Sequence, residues 1–233
     1  MTAAATDLYI RHFPFWPELS PDEKALLAAR THPVRYRAGE PVQRQAGECV
    51  GVLFVKRGQL RAYTLSEDGR EVTLYRLFPG DVGVMAATCA LVAVTFRIII
   101  DAEADTEALL TDAAAFRQLA AGNVHVRCFG YELAAGRLSE MLRQMQQVLF
   151  LSADRRLALF LRRESRRQGK LTLALTHERI ARYMGSAREV VSRLLRQFAR
   201  EGIVRPGRGA VTILDEARLD ALAGPEESGG DAS

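Results

Sequence analysis

The rhythm of apolar and polar positions changes character twice along this chain. Residues 1–32 read as short helical segments punctuated by Pro14, Pro17 and Pro21. Ser20-Pro-Asp-Glu opens a helix running to about Thr31, with acidic side chains in its first turn. From Val34 to about Leu110 the pattern becomes short β-like runs: Val34–Tyr36, Val50–Lys56, Gln59–Leu65, Glu71–Leu77, Phe96–Ala102 and Thr106–Leu110. Between them lie turn clusters at Ala38-Gly-Glu, Ala46-Gly-Glu, Arg57-Gly58, Glu67-Asp-Gly-Arg and Pro79-Gly-Asp. Short strands at near-regular intervals predict an antiparallel barrel or jelly roll.

From about Asp112 to Phe150 the period becomes helical. Val124, Cys128, Tyr131, Ala135, Leu138, Leu142, Met145 and Leu149 recur at alternating spacings of four and three. That is the a/d seam of a coiled coil, and a second copy of the chain is its simplest partner. Past a hinge at Phe150 to Ala153, Asp154 opens a helix with Leu157, Phe160 and Leu161 inward. Its basic pairs are Arg155–Arg156, Arg162–Arg163 and Arg166–Arg167. Leu171 to Leu175 reads as a short strand, and the tail after Gly224 as disordered.

Thr176 to Gly202 predicts two helices and a sharp turn. Thr176 N-caps the first, Gly185 supplies the left-handed break, and Ser186 is expected to cap the second. Val190 or Val191, Leu194, Leu195 and Phe198 make the apolar side of that second helix. Arg188, Glu189, Ser192 and Arg193 share its other side, near the N-terminal end. A helix-turn-helix places that part of its second helix against base edges. Ile203 to Leu214 completes it as two strands around a Pro-Gly turn, a wing that carries Arg208.

Charge sharpens this picture. The net charge of +4 is unevenly spread, because residues 151–210 carry 15 basic and 5 acidic side chains. The C-terminal part is the piece that meets a polyanion. Three cysteines, Cys49, Cys89 and Cys128, lie about 40 residues apart, which fits a reducing cytoplasm rather than a disulfide scaffold. No signal peptide is expected at the N-terminus. The longest stretch without formal charge, Val82 to Phe96, is shorter than the ~18 residues of a membrane span, so no membrane partner is expected. No paired-carboxylate, metal-ligand or nucleophile–base constellation points to an enzyme.

The glycine-punctuated barrel, long seam helix and C-terminal winged helix-turn-helix together resemble the Crp–Fnr superfamily of bacterial transcription regulators. The most specific part is Gly185-Ser-Ala-Arg-Glu-Val-Val-Ser-Arg193, which looks like that family's recognition-helix signature. The resemblance implies an α+β chain. It has an N-terminal antiparallel β-roll or jelly-roll sensor over 1–122 and a dimerisation helix over 123–150. A winged helix-turn-helix over 151–223 and a disordered tail over 224–233 complete it. It implies a homodimeric DNA-binding regulator that works with RNA polymerase. The dimer interface would be Tyr131, Ala135, Leu138, Leu142, Met145 and Leu149.

The positions matching Glu189 and Arg193 read a G·C-containing half-site in that family, and Arg188 matches a reader of a neighbouring base. Ser192 matches a serine of the fumarate-nitrate branch. A palindrome with a TGA-like core in each half-site is therefore expected. Thr176, His177, Ser186 and Arg208 join the DNA-facing set, His177 as a phosphate contact. Cyclic-nucleotide-binding members hold the ribose and phosphate with a Gly-Glu-Leu turn and a following Arg-Ser or Arg-Thr. Here Gly80 is followed by Asp81, and no arginine appears until Arg97. A phosphate in so apolar a pocket without a cation meets a large desolvation penalty, which argues against cyclic AMP. The absence of clustered N-terminal cysteines argues against an iron–sulfur cluster. The effector pocket is expected at Met85, Cys89, Thr95, Arg97 and Tyr131. The alternative reading is a redox- or haem-sensing protein acting through Cys89 or the His125/Cys128 pair.

Overall fold

A computed structural model describes residues 13–43, 51–67, 69, 71–84 and 98–225. The chain divides into two compact units, 1–70 with 74–142, and 71–73 with 143–233.

In the first unit, Ser20 opens α1 (Pro21–Ala29) with a reciprocal capping box. Its hydroxyl accepts from Glu23 N (3.2 Å), and the Glu23 carboxylate accepts from Ser20 N (2.8 Å). The helix stops short of the expected Thr31, which instead begins a strand. Its hydroxyl closes the helix on Leu27 O (2.7 Å) and bonds the hydroxyl of Thr111 (2.9 Å).

The strands are β1 (Thr31–Tyr36), β2 (Pro41–Gln43), β3 (Gly51–Leu65), β4 (Glu71–Leu77), β5 (Val82–Val84) and β6 (Ile99–Asp112). They form one antiparallel sheet in the order β1-β6-β3-β4, with β2 also on β6 and β5 also on β3.

Two expectations are corrected here. The runs on either side of Arg57-Gly58 are one strand, and so are 99–102 and 106–110. Gly58 is a bulge inside β3 and not a turn. Its φ of +95° is open to glycine, and an added Cβ would lie 2.5 Å from the Asp105 carbonyl oxygen. The register shifts on both sides of it, and Thr106 mends the ladder, its hydroxyl accepting from Gln59 N (3.1 Å). Leu53, Val55, Leu60, Ile100 and Ala108 fill one core cluster. Phe13, Phe15, Phe54, Phe116 and Phe129 fill a second.

The helical stretch after Asp112 is two helices, α2 (Ala113–Gly122) and α3 (Val124–Phe150). Asn123 divides them. Its Oδ1 accepts from His125 N (3.0 Å) and Val126 N (3.4 Å), and its amide donates to Glu18 O and the Glu23 carboxylate (both 3.2 Å). On α3, Val126 and Phe129 are buried, with Phe129 edge-on to Phe13 and Phe15 at 5.5 and 5.1 Å. Arg137 lies over the Tyr75 ring (5.1 Å) and donates to Val82 O (3.0 Å). The seam residues lie on the other side and are exposed, Leu138 at 56%, Leu142 at 49% and Leu149 at 63%.

The second unit holds α4 (Ala153–Gln168), β7 (Thr172–Leu173), α5 (His177–Met184), α6 (Arg188–Arg200), β8 (Val204–Gly207), β9 (Ala210–Ile213) and α7 (Glu216–Ala223). Leu157, Leu161, Ile180, Val191, Leu195, Phe198 and Leu219 build its core around a three-stranded sheet ordered β7-β9-β8. No helix among the described residues is long and apolar enough to cross a membrane.

Candidate nucleic-acid interface

The turn between α5 and α6 is built from local chemistry. Thr176 caps α5, its hydroxyl accepting from Arg179 N (3.2 Å). Gly185 ends the helix in the left-handed region, φ +58° and ψ +43°, and Ser186 N closes on Ala181 O (2.9 Å). Ser186 therefore belongs to the end of α5. The N-cap of α6 is Ala187, with no side-chain cap, which corrects the expected role of Ser186.

Val191, Leu194, Leu195 and Phe198 are buried, and this anchors one side of α6. It turns Arg188, Glu189 and Arg193 into solvent on the first two turns of the opposite side. Ser192 differs from them. Its hydroxyl is 2.8 Å from Nδ1 of His177, the first residue of α5, so it is half-buried and already bonded within the protein. Burial first, then the positive charges of Arg188 and Arg196, hold the His177 pKa below its ordinary value and favour the neutral ring.

The wing turn lies two residues later than expected. Pro206 and Gly207 lie within β8, paired with Val211 and Ala210, and the turn is Arg208-Gly209 with Gly209 at φ +73°. Proline is tolerated there because β8 is an edge strand. Exposed Arg208 thus stands at the tip of the hairpin.

The basic pairs of α4 include residues with structural duties. Arg162 is buried, donates to Gly224 O (2.9 Å) and approaches Asp220 at 3.7 Å. Arg155 donates to Ala223 O (3.1 Å), and Arg166 reaches Asp220 (3.5 Å). Arg155 and Arg162 thus cap the C-terminal end of α7, where unpaired carbonyls attract cations, while Arg166 pairs with a carboxylate on its side. Arg156 donates to Met184 O (3.3 Å). Sequence reasoning missed α7 as an element, although Asp215, whose carboxylate accepts from Arg218 N (2.9 Å), is an ordinary N-cap signal.

Of the expected effector-pocket residues, Met85, Cys89, Thr95 and Arg97 lie outside the described residues. Tyr131 is on α3 and 45% exposed. His125 and Cys128 are both exposed, with His125 Nε2 3.9 Å from the Glu18 carboxylate. Among the described residues, no three His, Cys, Asp or Glu side chains gather as a metal site would require.

With this geometry established, known proteins give a consistent comparison. A model of the cyclic nucleotide-binding domain matches residues 33–123, and a model of the Crp-like helix-turn-helix domain matches 155–222. The transcriptional regulator LdrP of Thermus thermophilus is 31% identical over 201 residues, covering 82% of this chain and 96% of its own. The cyclic AMP receptor protein of the same organism is 28% identical over 221 residues, covering 90% of this chain and 96% of its own. A crystal structure of a transcriptional regulator of the Crp/Fnr family from Eubacterium rectale superposes with a TM-score of 0.85 at 38% identity. It covers 91% of this chain and 99% of its own. These relatives are transcriptional regulators, not enzymes, and they do not favour a redox or haem protein as the primary reading.

Proposed function

The chain belongs to the Crp–Fnr superfamily of transcription regulators, and from that premise we propose that it is a homodimer reading a palindromic DNA site with α6 of each protomer. The carrying observation is that burial of the apolar side of α6 leaves Arg188, Glu189 and Arg193 exposed together at its N-terminal half. Arginine pairs in a bidentate fashion with guanine O6 and N7, and glutamate accepts from cytosine N4. Those chemistries fit a G·C pair within a TGA-like half-site core. Arg208 at the wing tip and Thr176 at the head of α5 are exposed, and phosphate contact is assigned to them.

The exposed apolar seam of α3 supports self-association, since a row of leucines in water is stabilised by burial against an identical row. Two such protomers present their recognition helices to half-sites about one helical turn apart. RNA polymerase is the expected partner at the promoter, and the cytoplasm the expected compartment. The effector is proposed to be something other than cyclic AMP. This rests on the sequence Gly80 to Arg97, which lacks both the glutamate after the glycine and a nearby arginine for the cyclic phosphate. An iron–sulfur cluster is likewise not proposed.

The test is selection of a preferred site from random duplex DNA, followed by Arg193→Ala. The variant should lose about 1–3 kcal/mol on the selected site, with the preference relaxed at one base pair per half-site. Equal weakening on selected and random DNA would reduce Arg193 to a phosphate contact.

A further inference from the structure

A serine hydroxyl is by itself a poor reader of sequence, because it rotates freely and both donates and accepts. On α6 that freedom is removed. Ser192 Oγ lies 2.8 Å from His177 Nδ1, across the turn between α5 and α6. The imidazole is half-buried, and Arg188 and Arg196 of α6 set positive charge against it. We propose that His177 is a positioning residue for DNA recognition, locking the Ser192 hydroxyl into one hydrogen-bonding role so that Ser192 discriminates between bases.

The chemistry of the lock is explicit. If Nδ1 is bare, the serine proton is spent on the ring and Oγ faces the groove only as an acceptor, suited to the amino group of adenine or cytosine. If Nδ1 carries hydrogen, Oγ accepts from the ring and its proton points outward, suited to guanine O6 or N7 or thymine O4. A bare Nδ1 leaves the hydroxyl only acceptor capacity toward the groove, while a protonated Nδ1 takes one lone pair and turns the hydroxyl hydrogen outward; the neutral ring is the form that burial and the two arginines favour. His177 at the same time braces the first turn of α5 against the second turn of α6, so the aim of Ser192 depends on this contact. The role assigned to His177 is thus sequence discrimination, in place of the phosphate contact expected for it.

The inference rests on α6 being the DNA-facing helix, and the experiment separates the two. A preferred site is selected from random duplex DNA with the full-length protein. Affinities are then measured for all four base pairs at every half-site position, for wild type, His177→Ala, Ser192→Ala and the double variant. Random duplex is titrated in parallel over a range of salt concentrations. Wild type should discriminate about fivefold or more at one base pair that Ser192→Ala flattens. His177→Ala should flatten the same base pair, and the double variant should be no flatter than either single one. Affinity for random duplex and its salt slope should stay unchanged.

His177→Asn returns a polar group near the Nδ1 position and should restore discrimination, which also guards against a His177→Ala variant that folds poorly. The proposal is overturned if His177→Ala weakens all sequences alike and lowers the salt slope, as loss of a phosphate contact would. It is equally overturned if the two single effects add. If wild type selects no sequence at all, the reading of α6 itself fails.

Discussion

Three single residues carry structural demands that can be measured. Gly58 combines φ +95° with a backbone carbonyl only 2.5 Å from where a Cβ would sit. Gly58→Ala should therefore destabilise the first unit by about 3 kcal/mol, seen as a lower thermal midpoint, because neither the left-handed strain nor the close contact relaxes without the other. Arg162 is buried against the Gly224 carbonyl that follows α7. Arg162→Ala should cost about 2 kcal/mol of stability while leaving the salt slope of DNA binding unchanged, the opposite of what a phosphate-contacting arginine would do. His177 has a folded pKa below its ordinary 6.5, so the unfolded chain binds that proton more readily than the folded one. Its contribution to stability is complete above pH 6.5 and is lost as the pH falls through the depressed folded value. His177→Asn should flatten that part of the stability–pH curve, followed by denaturant unfolding.

At the scale of elements, legibility depended on how local the determining chemistry is. The helix start at Ser20, the Thr176 cap and the Gly185 break each depend on residues three to five apart, and all three are where the pattern places them. The seam of α3 follows from spacing alone, and its leucines are exposed on one side of the helix. Glycine was the source of two misreadings, since the same residue punctuates turns and bulges. Arg57-Gly58 looks like a hairpin turn until β6 is laid beside it, and Pro206-Gly207 looks like the wing turn until Gly207 pairs with Ala210. Asn123 was overlooked although its cap on His125 N and Val126 N is local; what lies beyond any local pattern is the anchoring of its amide by Glu18 and Glu23, about 100 positions earlier.

For the whole molecule, the testable quantity is self-association. Leu142 is 49% exposed on the seam, so Leu142→Glu should leave each protomer folded and shift the protein toward monomer by sedimentation equilibrium. Affinity for the palindrome should then fall toward that of a single half-site, because two linked readers gain from a high effective concentration that one reader lacks. A variant that remained dimeric would place the interface elsewhere.

By itself the sequence determined the class of most segments, the helix-turn-helix and the exposed polar set on its second helix, because helical and strand periods, caps and charge are properties of neighbouring residues. Only the tertiary structure decided which polar groups remain free to meet a partner. Arg162, one of a basic pair in the sequence, is consumed by one carbonyl and one carboxylate 58 to 62 residues away. Ser192, a free hydroxyl by position, is held by His177. The physical reason is common to both. A buried or half-buried polar group must find a hydrogen-bond partner, and the partner it finds is set by packing between elements, which no local pattern records.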